Sequence, residues 1–202
     1  MATPTRWQSE GGPDRSRWYV DHFRTLAAEG ADLVGEARFM DALLRPASRV
    51  LDAGCGPGRV AAGLYERGHS VVGVDLDETL IAAAEEDHDG PTFLVADLTT
   101  LHLADLGITE PFAGAVLAGN VMAFVAPGTE TSVLRSVARH VEPGGPVVTG
   151  FGLDKGYPLD QFDRDAKAAG LHLEQRFATW DLRPWRPDSD YAVSVLRVPS
   201  DL

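Results

Sequence analysis

The sequence predicts an α/β protein in which helices cover both faces of a mostly parallel β-sheet. Two observations support this fold class. Short apolar segments alternate with amphipathic helical segments between residues 49 and 170, an order typical of parallel sheets. A glycine-rich turn at residues 54–58 directly follows the first apolar segment, at the edge where such sheets bind ligands. With 202 residues and 44% hydrophobic content, the chain can bury a sizeable core.

The N-terminal region lies before this alternation and has a different pattern. Residues 1–17 are polar and charged and contain proline and glycine, so we expect a loose tail. Residues 18–44 have helical periodicity in two pieces that are divided near Gly30 and Gly35. Pro46 then ends the second piece, because its ring cannot continue a helix.

The strands and helices of the predicted sheet region occupy residues 48–202. The whole chain, residues 1–202, is predicted to form a single domain. A proline-rich loop joins the last two predicted strands, and such a pair is most simply antiparallel. The predicted strands are residues 49–53, 70–76, 92–98, 112–120, 146–153, 171–182 and 191–198, and the predicted helices are residues 58–67, 77–88, 129–141 and 159–170.

The composition disfavours several classes of function. The chain has 18 Lys and Arg against 30 Asp and Glu, and an acidic surface repels nucleic acid and anionic membranes. No apolar run reaches membrane-spanning length, so we expect a cytoplasmic protein without a membrane partner. Cys55 is the single cysteine, which argues against a disulfide within the chain and a cysteine-based zinc site, and we expect no metal. Monomer and homodimer both remain open.

The turn within "VLDAGCGPG" has glycine at alternate positions. Gly54, Gly56 and Gly58 can adopt positive φ and carry no Cβ, so a ligand can lie against the backbone beside the N–H groups of the following helix. The dinucleotide-binding fingerprint G-x-G-x-x-G requires glycine at position 59, where this chain has Arg59. Cys55 is interpreted as a small residue of the turn, since a nucleophilic role would need a nearby base.

Acidic side chains accompany three of the predicted strands. Asp52, inside the first strand, suits a ligand that carries an ammonium group, or it holds the turn by accepting from loop N–H groups. Asp75 ends the second strand and is placed to accept from both hydroxyls of a ribose. Asp97 ends the third strand and can accept from the amino group of an adenine, whose two faces Leu76 and Leu98 could contact.

Five segments follow one another in order across residues 48–153: "VLDAGCGPG", "VVGVDLD", "FLVADL", "LAGNVMAFV" and "VEPGGPVVTGF". Together they resemble the class I S-adenosylmethionine-dependent methyltransferases. The resemblance implies a Rossmann-like three-layer sandwich with a seven-stranded sheet in the order 3-2-1-4-5-7-6 and an antiparallel last strand. It also implies S-adenosylmethionine as the cofactor, held by the glycine turn, Asp75 and Asp97. The Asn/Asp-Pro-Pro-aromatic motif of the N-methylating branch is not matched, which disfavours methylation of a base or amide nitrogen.

The reaction that the resemblance implies defines the remaining candidate residues. Methyl transfer requires alignment of nucleophile, methyl group and sulfur, and it requires a base only if the nucleophile arrives protonated. His22 is the candidate base, Tyr19 the candidate orienting hydroxyl, and Arg24 the candidate partner of the cofactor carboxylate. The predicted cofactor-binding residues are Arg24, Asp52, Gly54, Cys55, Gly56, Gly58, Arg59, Asp75, Leu76, Asp97, Leu98 and Asn120, and the predicted substrate pocket consists of Phe23, Val121, Phe124, Phe151 and Tyr157.

The acceptor is expected to be a small molecule, because the chain contains no large inserted domain. Residues 18–44 are extra to the sheet, carry aromatic side chains and are broken by glycine, so we predict that they form a helical lid that excludes water from the site. Two other functions fit the same motifs. They are a non-catalytic protein that binds S-adenosylmethionine or S-adenosylhomocysteine, and an NAD-dependent enzyme.

Overall fold

The computed structural model describes residues 4–10, 12 and 14–200 of the chain. Within these residues the strands are β1 (Arg49–Ala53), β2 (Ser70–Asp75), β3 (Thr92–Val95), β4 (Gly114–Leu117), β5 (Pro146–Gly152), β6 (His172–Phe177) and β7 (Tyr191–Arg197). These seven strands form one sheet in the order β3-β2-β1-β4-β5-β7-β6. Strand β7 is antiparallel to β5 and β6, and the pairings among β1 to β5 are parallel, so the predicted fold class and strand order are confirmed.

Helices lie on both faces of this sheet. Successive residues of a strand point to opposite faces, so Val50 belongs to one apolar cluster and Leu51 to the other. The cluster around Val50 includes α3 to α5, and the cluster around Leu51 includes α6 to α8. The helices are α1 (Arg6–Glu10), α2 (Arg15–Ala28), α3 (Gly35–Leu43), α4 (Arg59–Tyr65), α5 (Glu78–Asp87), α6 (Val121–Phe124), α7 (Glu130–Ala138) and α8 (Leu159–Ala168).

The N-terminal segment is more ordered than the sequence suggested. The expectation of a loose tail over residues 1–17 is wrong for the part that the structure describes, because α1 forms there and α2 already begins at Arg15. Thr5 and Gln8 form a reciprocal capping box: the Gln8 N–H donates to Thr5 Oγ1 at 3.2 Å, and the Thr5 N–H donates to Gln8 Oε1 at 3.1 Å. Residues 1–3, 11 and 13 lie outside the described residues.

The parallel pairing brings the carboxyl ends of the central strands to one edge of the sheet. Asp52 of β1 is aligned with Gly73 of β2, and Asp75 of β2 is aligned with Val95 of β3. The turns after these strands therefore meet at the same rim. This rim is where open parallel sheets bind their ligands.

Candidate functional site

A cleft lies at this rim, between the glycine turn, the ends of β2 and β3, and the segment after β4. Helices α1 and α2 cover it, because Trp7 and Tyr19 are among the residues that line it. The cleft therefore has polar groups of the sheet on one side and aromatic groups of the N-terminal helices on the other. The predicted cofactor-binding residues that line it are Asp52, Gly54, Cys55, Gly56, Arg59, Asp75, Leu76, Asp97 and Leu98.

The glycines of the turn serve two different purposes. A Cβ at Gly56 would meet only Tyr19, at 3.7 Å, so this position leaves the backbone open to the cleft. A Cβ at Gly58 would lie 2.7 Å from the ring of Phe93, and its φ of +82° is in the left-handed region. Gly58 is thus required for packing of the turn against β3. Contrary to the prediction that it binds the cofactor, it does not line the cleft.

The thiol of Cys55 is buried and inert. Its side chain is 6% exposed and packs in the apolar cluster around Val50. Burial raises the pKa of the thiol well above its usual value, and the nearby carboxylates of Asp52 and Asp75 raise it further. A protonated thiol is a poor nucleophile, so the position acts as a small apolar residue of the turn.

Asp52 is a buried carboxylate with spare hydrogen-bonding capacity. The residue is 1% exposed, and its Oδ2 atom has no hydrogen-bond partner among the described residues. Burial raises the pKa of this carboxyl to about 7, although the Arg59 guanidinium opposes the shift. An unpaired buried carboxylate at the edge of a cleft is well suited to a ligand that brings a positive charge.

Asp75 and Asp97 present carboxylates along the same rim. Asp75 accepts from the N–H of Gly56 at 2.9 Å and from the N–H of Asp77 at 3.0 Å, so it joins the glycine turn to the end of β2. Burial raises the pKa of the Asp75 carboxyl above its usual value. Asp97 accepts through Oδ1 from the N–H of Thr99 at 2.8 Å, which leaves its Oδ2 atom available to the cleft.

Arg59 connects the glycine turn to the N-terminal helices. Its Nη1 atom donates to the Leu33 carbonyl at 2.9 Å and to Glu36 at 2.8 Å, and its Nη2 atom donates to the other oxygen of Glu36. The guanidinium also lies over the ring of Phe23, 5.1 Å from its centroid. Both side chains of the ion pair are less than one-fifth exposed.

The two candidate catalytic residues of α2 face different ways. Tyr19 lines the cleft, and burial raises the pKa of its hydroxyl above the usual value. His22 does not line the cleft: it is exposed and stacks on Trp18 with ring centroids 5.2 Å apart. The prediction of a base at His22 is therefore not supported by the structure, because the imidazole is exposed and packs on Trp18 outside the cleft.

Three other predicted residues are also directed elsewhere. Arg24 pairs with Glu86 and Asp87 at the end of α5. It therefore does not reach the cleft, contrary to the prediction that it binds the cofactor carboxylate. Phe23 packs against Tyr19 and under Arg59 and does not line the cleft. The Asn120 side chain accepts from the N–H of Gly152 at 2.7 Å, so it ties the end of β4 to the end of β5 and does not line the cleft.

Of the residues predicted to form the substrate pocket, only Val121 and Phe124 line the cleft. Phe151 is fully buried in the apolar cluster around Leu51, where it packs against Tyr157 with ring centroids 5.5 Å apart. The hydroxyl of Tyr157 donates to Asp165 of α8 at 2.8 Å. Phe151 and Tyr157 therefore belong to the core, contrary to the prediction, because both rings are buried against Phe162 of α8.

Sequence reasoning missed the contribution of α1 and of Asp77. Thr5, Trp7, Gln8 and Asp77 all line the cleft. The available signal was the T-x-x-Q pattern at Thr5 to Gln8, which is typical of a helix N-terminus. The glycines and the proline that follow this pattern favoured a loop instead of a helix.

Comparisons with known proteins agree with this geometry. A family model described as "Methyltransferase domain" matches residues 50–145. The chain is 37% identical to a TehB-like S-adenosylmethionine-dependent methyltransferase from Corynebacterium glutamicum; the match has a TM-score of 0.86 and covers 93% of this chain and 100% of that one. The CcbJ methyltransferase from Streptomyces caelestis has the same fold, with a TM-score of 0.73 at 21% identity over 82% of this chain and 90% of that one.

A curated relative, the malonyl-(acyl-carrier protein) O-methyltransferase of Pseudescherichia vulneris, is 35% identical over 137 residues. The match covers 66% of this chain and 49% of that protein, so the chain spans about half the length of the curated relatives that it matches. The chain belongs to the S-adenosylmethionine-dependent methyltransferases, and S-adenosylmethionine is its cofactor. Within the described part of the chain, no helix is both long enough and apolar enough to cross a membrane.

Proposed function

We propose that this methyltransferase transfers the methyl group of S-adenosylmethionine to a small-molecule acceptor by in-line displacement. The observation that carries the proposal is the covered cleft, which is lined by the glycine turn together with Trp7 and Tyr19 of the N-terminal helices. The cofactor supplies a methyl group on a positively charged sulfur, which is already an activated leaving group. The task of the protein is then to align the acceptor, a contribution worth up to roughly 7–11 kcal/mol.

The cofactor is proposed to lie along the rim with its nucleoside toward β2 and β3. Asp75 accepts from the ribose hydroxyls, and the free Oδ2 atom of Asp97 accepts from the adenine amino group. Leu76 and Leu98 contact the adenine faces. The unpaired Oδ2 atom of Asp52 supports a position for the ammonium group at the other end of the cofactor.

Arg59 replaces Arg24 as the proposed partner of the cofactor carboxylate. It is the one cationic side chain among the described residues that line the cleft. A guanidinium has five N–H donors, and three of them are used by Leu33 and Glu36. The Nε–H and the second Nη2–H remain, and this pair has the fork geometry that suits a carboxylate.

Tyr19 is proposed to orient the acceptor. Its raised pKa keeps the hydroxyl protonated at neutral pH, so it donates a hydrogen bond and does not act as a base. No histidine or lysine is present among the described residues that line the cleft. A hydrogen bond donated by Tyr19 suits an acceptor that offers a lone pair without prior deprotonation, such as a carboxylate, and the names of the curated relatives make a malonyl thioester a suitable probe.

The experiment that tests this function measures release of S-adenosylhomocysteine in the presence of malonyl thioesters and fractionated metabolite extracts. We expect release that depends on an acceptor, and we expect Tyr19→Phe to reduce kcat by roughly three- to tenfold, the value of one hydrogen bond. Tyr65→Phe is the matched control, because Tyr65 is 46% exposed and lies outside the cleft. Tight cofactor binding without release for any acceptor would instead indicate a non-catalytic binding protein.

Cofactor binding is also expected to depend on pH through Asp52. The pKa of its carboxyl is about 7, and a bound ammonium group favours the ionised form. As the pH falls through 7, Asp52 becomes protonated and this attraction is lost, so S-adenosylhomocysteine should bind about tenfold more weakly at pH 6 than at pH 8.

Calorimetric titration at the two pH values measures this dependence. The Asp52→Asn variant cannot titrate at this position, so its affinity should change less between pH 6 and pH 8 than that of the wild type. An equally steep pH dependence in both proteins would contradict the assignment of the ammonium group to Asp52.

A further inference from the structure

Trp7 of α1 is held on several sides where it lines the cleft. Its ring packs edge-on against Tyr19, with centroids 5.1 Å apart, and against Phe124, with centroids 5.8 Å apart. The guanidinium of Arg15 lies 4.1 Å from the centroid of the Trp7 ring. Helix α1 has only five residues, which is too short to be stable by itself. Its position over the cleft must therefore depend on contacts with the rest of the protein.

Asp77 supplies the polar part of these contacts. Its Oδ2 atom accepts from Trp7 Nε1 at 3.1 Å and from the hydroxyl of Ser16 at the start of α2. Its Oδ1 atom caps α5 by accepting from the N–H groups of Thr79 at 2.9 Å and Leu80 at 3.3 Å. One carboxylate thus ties both N-terminal helices to the rim, two residues after Asp75.

The opposite side of α1 is attached across the cleft. Arg6 donates through Nη1 to the carbonyl of Ala123 in α6 at 3.0 Å, and its Nη2 atom lies 3.8 Å from Glu130 of α7. Helix α1 therefore extends from the end of β2 to the segment after β4. This path crosses the mouth of the cleft between the two sides of the proposed cofactor site.

We propose that Trp7, Ser16 and Asp77 form a latch that controls entry and release of the cofactor. The inference rests on the cofactor position proposed above. The latch bonds join protein groups only, so they hold the same closed position before and after binding. Entry of S-adenosylmethionine and release of S-adenosylhomocysteine then both require the Trp7–Asp77 and Ser16–Asp77 hydrogen bonds to break.

If the latch controls access to the cleft, removing either of its hydrogen bonds should change both the association and the dissociation rate constant of the ligand. Trp7→Phe keeps an aromatic ring and removes the N–H donor, and Ser16→Ala removes the hydroxyl donor. Each deletion destabilises the closed position in the free and the bound protein alike. We expect the association and dissociation rate constants of S-adenosylhomocysteine to rise together, by up to about tenfold, while the Kd changes little.

Stopped-flow measurements of S-adenosylhomocysteine binding to the full-length variants test the latch. The matched controls are Trp18→Phe, at a 62% exposed position that stacks on His22, and Ser48→Ala, whose hydroxyl bonds the Arg45 carbonyl away from the cleft. Both controls should retain wild-type rate constants. Unchanged association rate constants in both latch variants would overturn the proposal, even if dissociation became faster, since that pattern describes a simple contact with the ligand.

The same experiment includes Asp75→Ala, so that two kinds of failure can be told apart. Normal binding by Asp75→Ala would contradict the cofactor position itself. Weak binding by Asp75→Ala together with wild-type rate constants in Trp7→Phe and Ser16→Ala would contradict the latch alone.

Discussion

Asp75→Ala is expected to weaken S-adenosylhomocysteine binding by about a hundredfold or more. Two charge-assisted hydrogen bonds to the ribose are lost, and such bonds contribute about 1.5–3 kcal/mol each. The carboxylate also accepts from the N–H groups of Gly56 and Asp77, so the shape of the cofactor-binding turn depends on it. Asp75→Asn should lose less affinity than Asp75→Ala, because its amide oxygen still accepts a hydrogen bond. It should still bind more weakly than the wild type, because its NH₂ group would face a backbone N–H donor.

Calorimetric titration measures this loss, and thermal unfolding of each variant shows whether the fold is retained. Asp89→Ala is the matched control, because Asp89 is an exposed acid just beyond α5 and does not line the cleft. It should bind as the wild type does. If folded Asp75→Ala kept wild-type affinity, the nucleoside would have to lie elsewhere.

Arg59→Ala is expected to lower the free energy of unfolding by about 3–5 kcal/mol. Its removal leaves the carboxylate of Glu36, which is 13% exposed, without its cationic partner, and an unpaired buried charge carries a penalty of this size. The change also removes the hydrogen bond to the Leu33 carbonyl and the cation–π contact with the ring of Phe23. The N-terminal helices would then lose these polar and cation–π contacts with the glycine turn.

Urea denaturation of Arg59→Ala and Arg38→Ala provides the comparison. Arg38 also pairs with an acid, Asp32, but the two side chains are 49% and 60% exposed. Solvent screens an exposed pair of this kind, so Arg38→Ala should be nearly neutral. Adding Glu36→Gln to Arg59→Ala should recover part of the lost stability, since it removes the unpaired charge. Equal losses for the two arginine variants would contradict this explanation.

The fold could be predicted because its determinants are local and periodic. Apolar strands such as "VVGV" alternate with amphipathic helices, and glycine occurs where the backbone turns sharply. The acids of the site could be found for a related reason. Asp52 and Asp75 lie in β1 and β2, and Asp97 follows β3, so the parallel order of these strands places the three acids at one rim.

The directions of single side chains could not be predicted in the same way. Tyr19 and His22 are neighbours on α2, and only the packing of that helix decides that Tyr19 lines the cleft and His22 faces outward. Arg24 forms an ion pair with Asp87, and a contact between residues so far apart in sequence could not be read from the sequence. Phe151 looked like a substrate contact because it is aromatic and near a strand end, yet its strand buries it.

The most direct test of the proposed site is a crystal structure of the protein with S-adenosylhomocysteine. We expect both ribose hydroxyls within hydrogen-bond distance of the Asp75 carboxylate, the adenine amino group near Asp97, and the ammonium group beside Asp52. The Nε and Nη2 atoms of Arg59 should contact the carboxylate of the ligand. A ligand bound outside this cleft, or bound with its ribose away from Asp75, would contradict the proposed cofactor position.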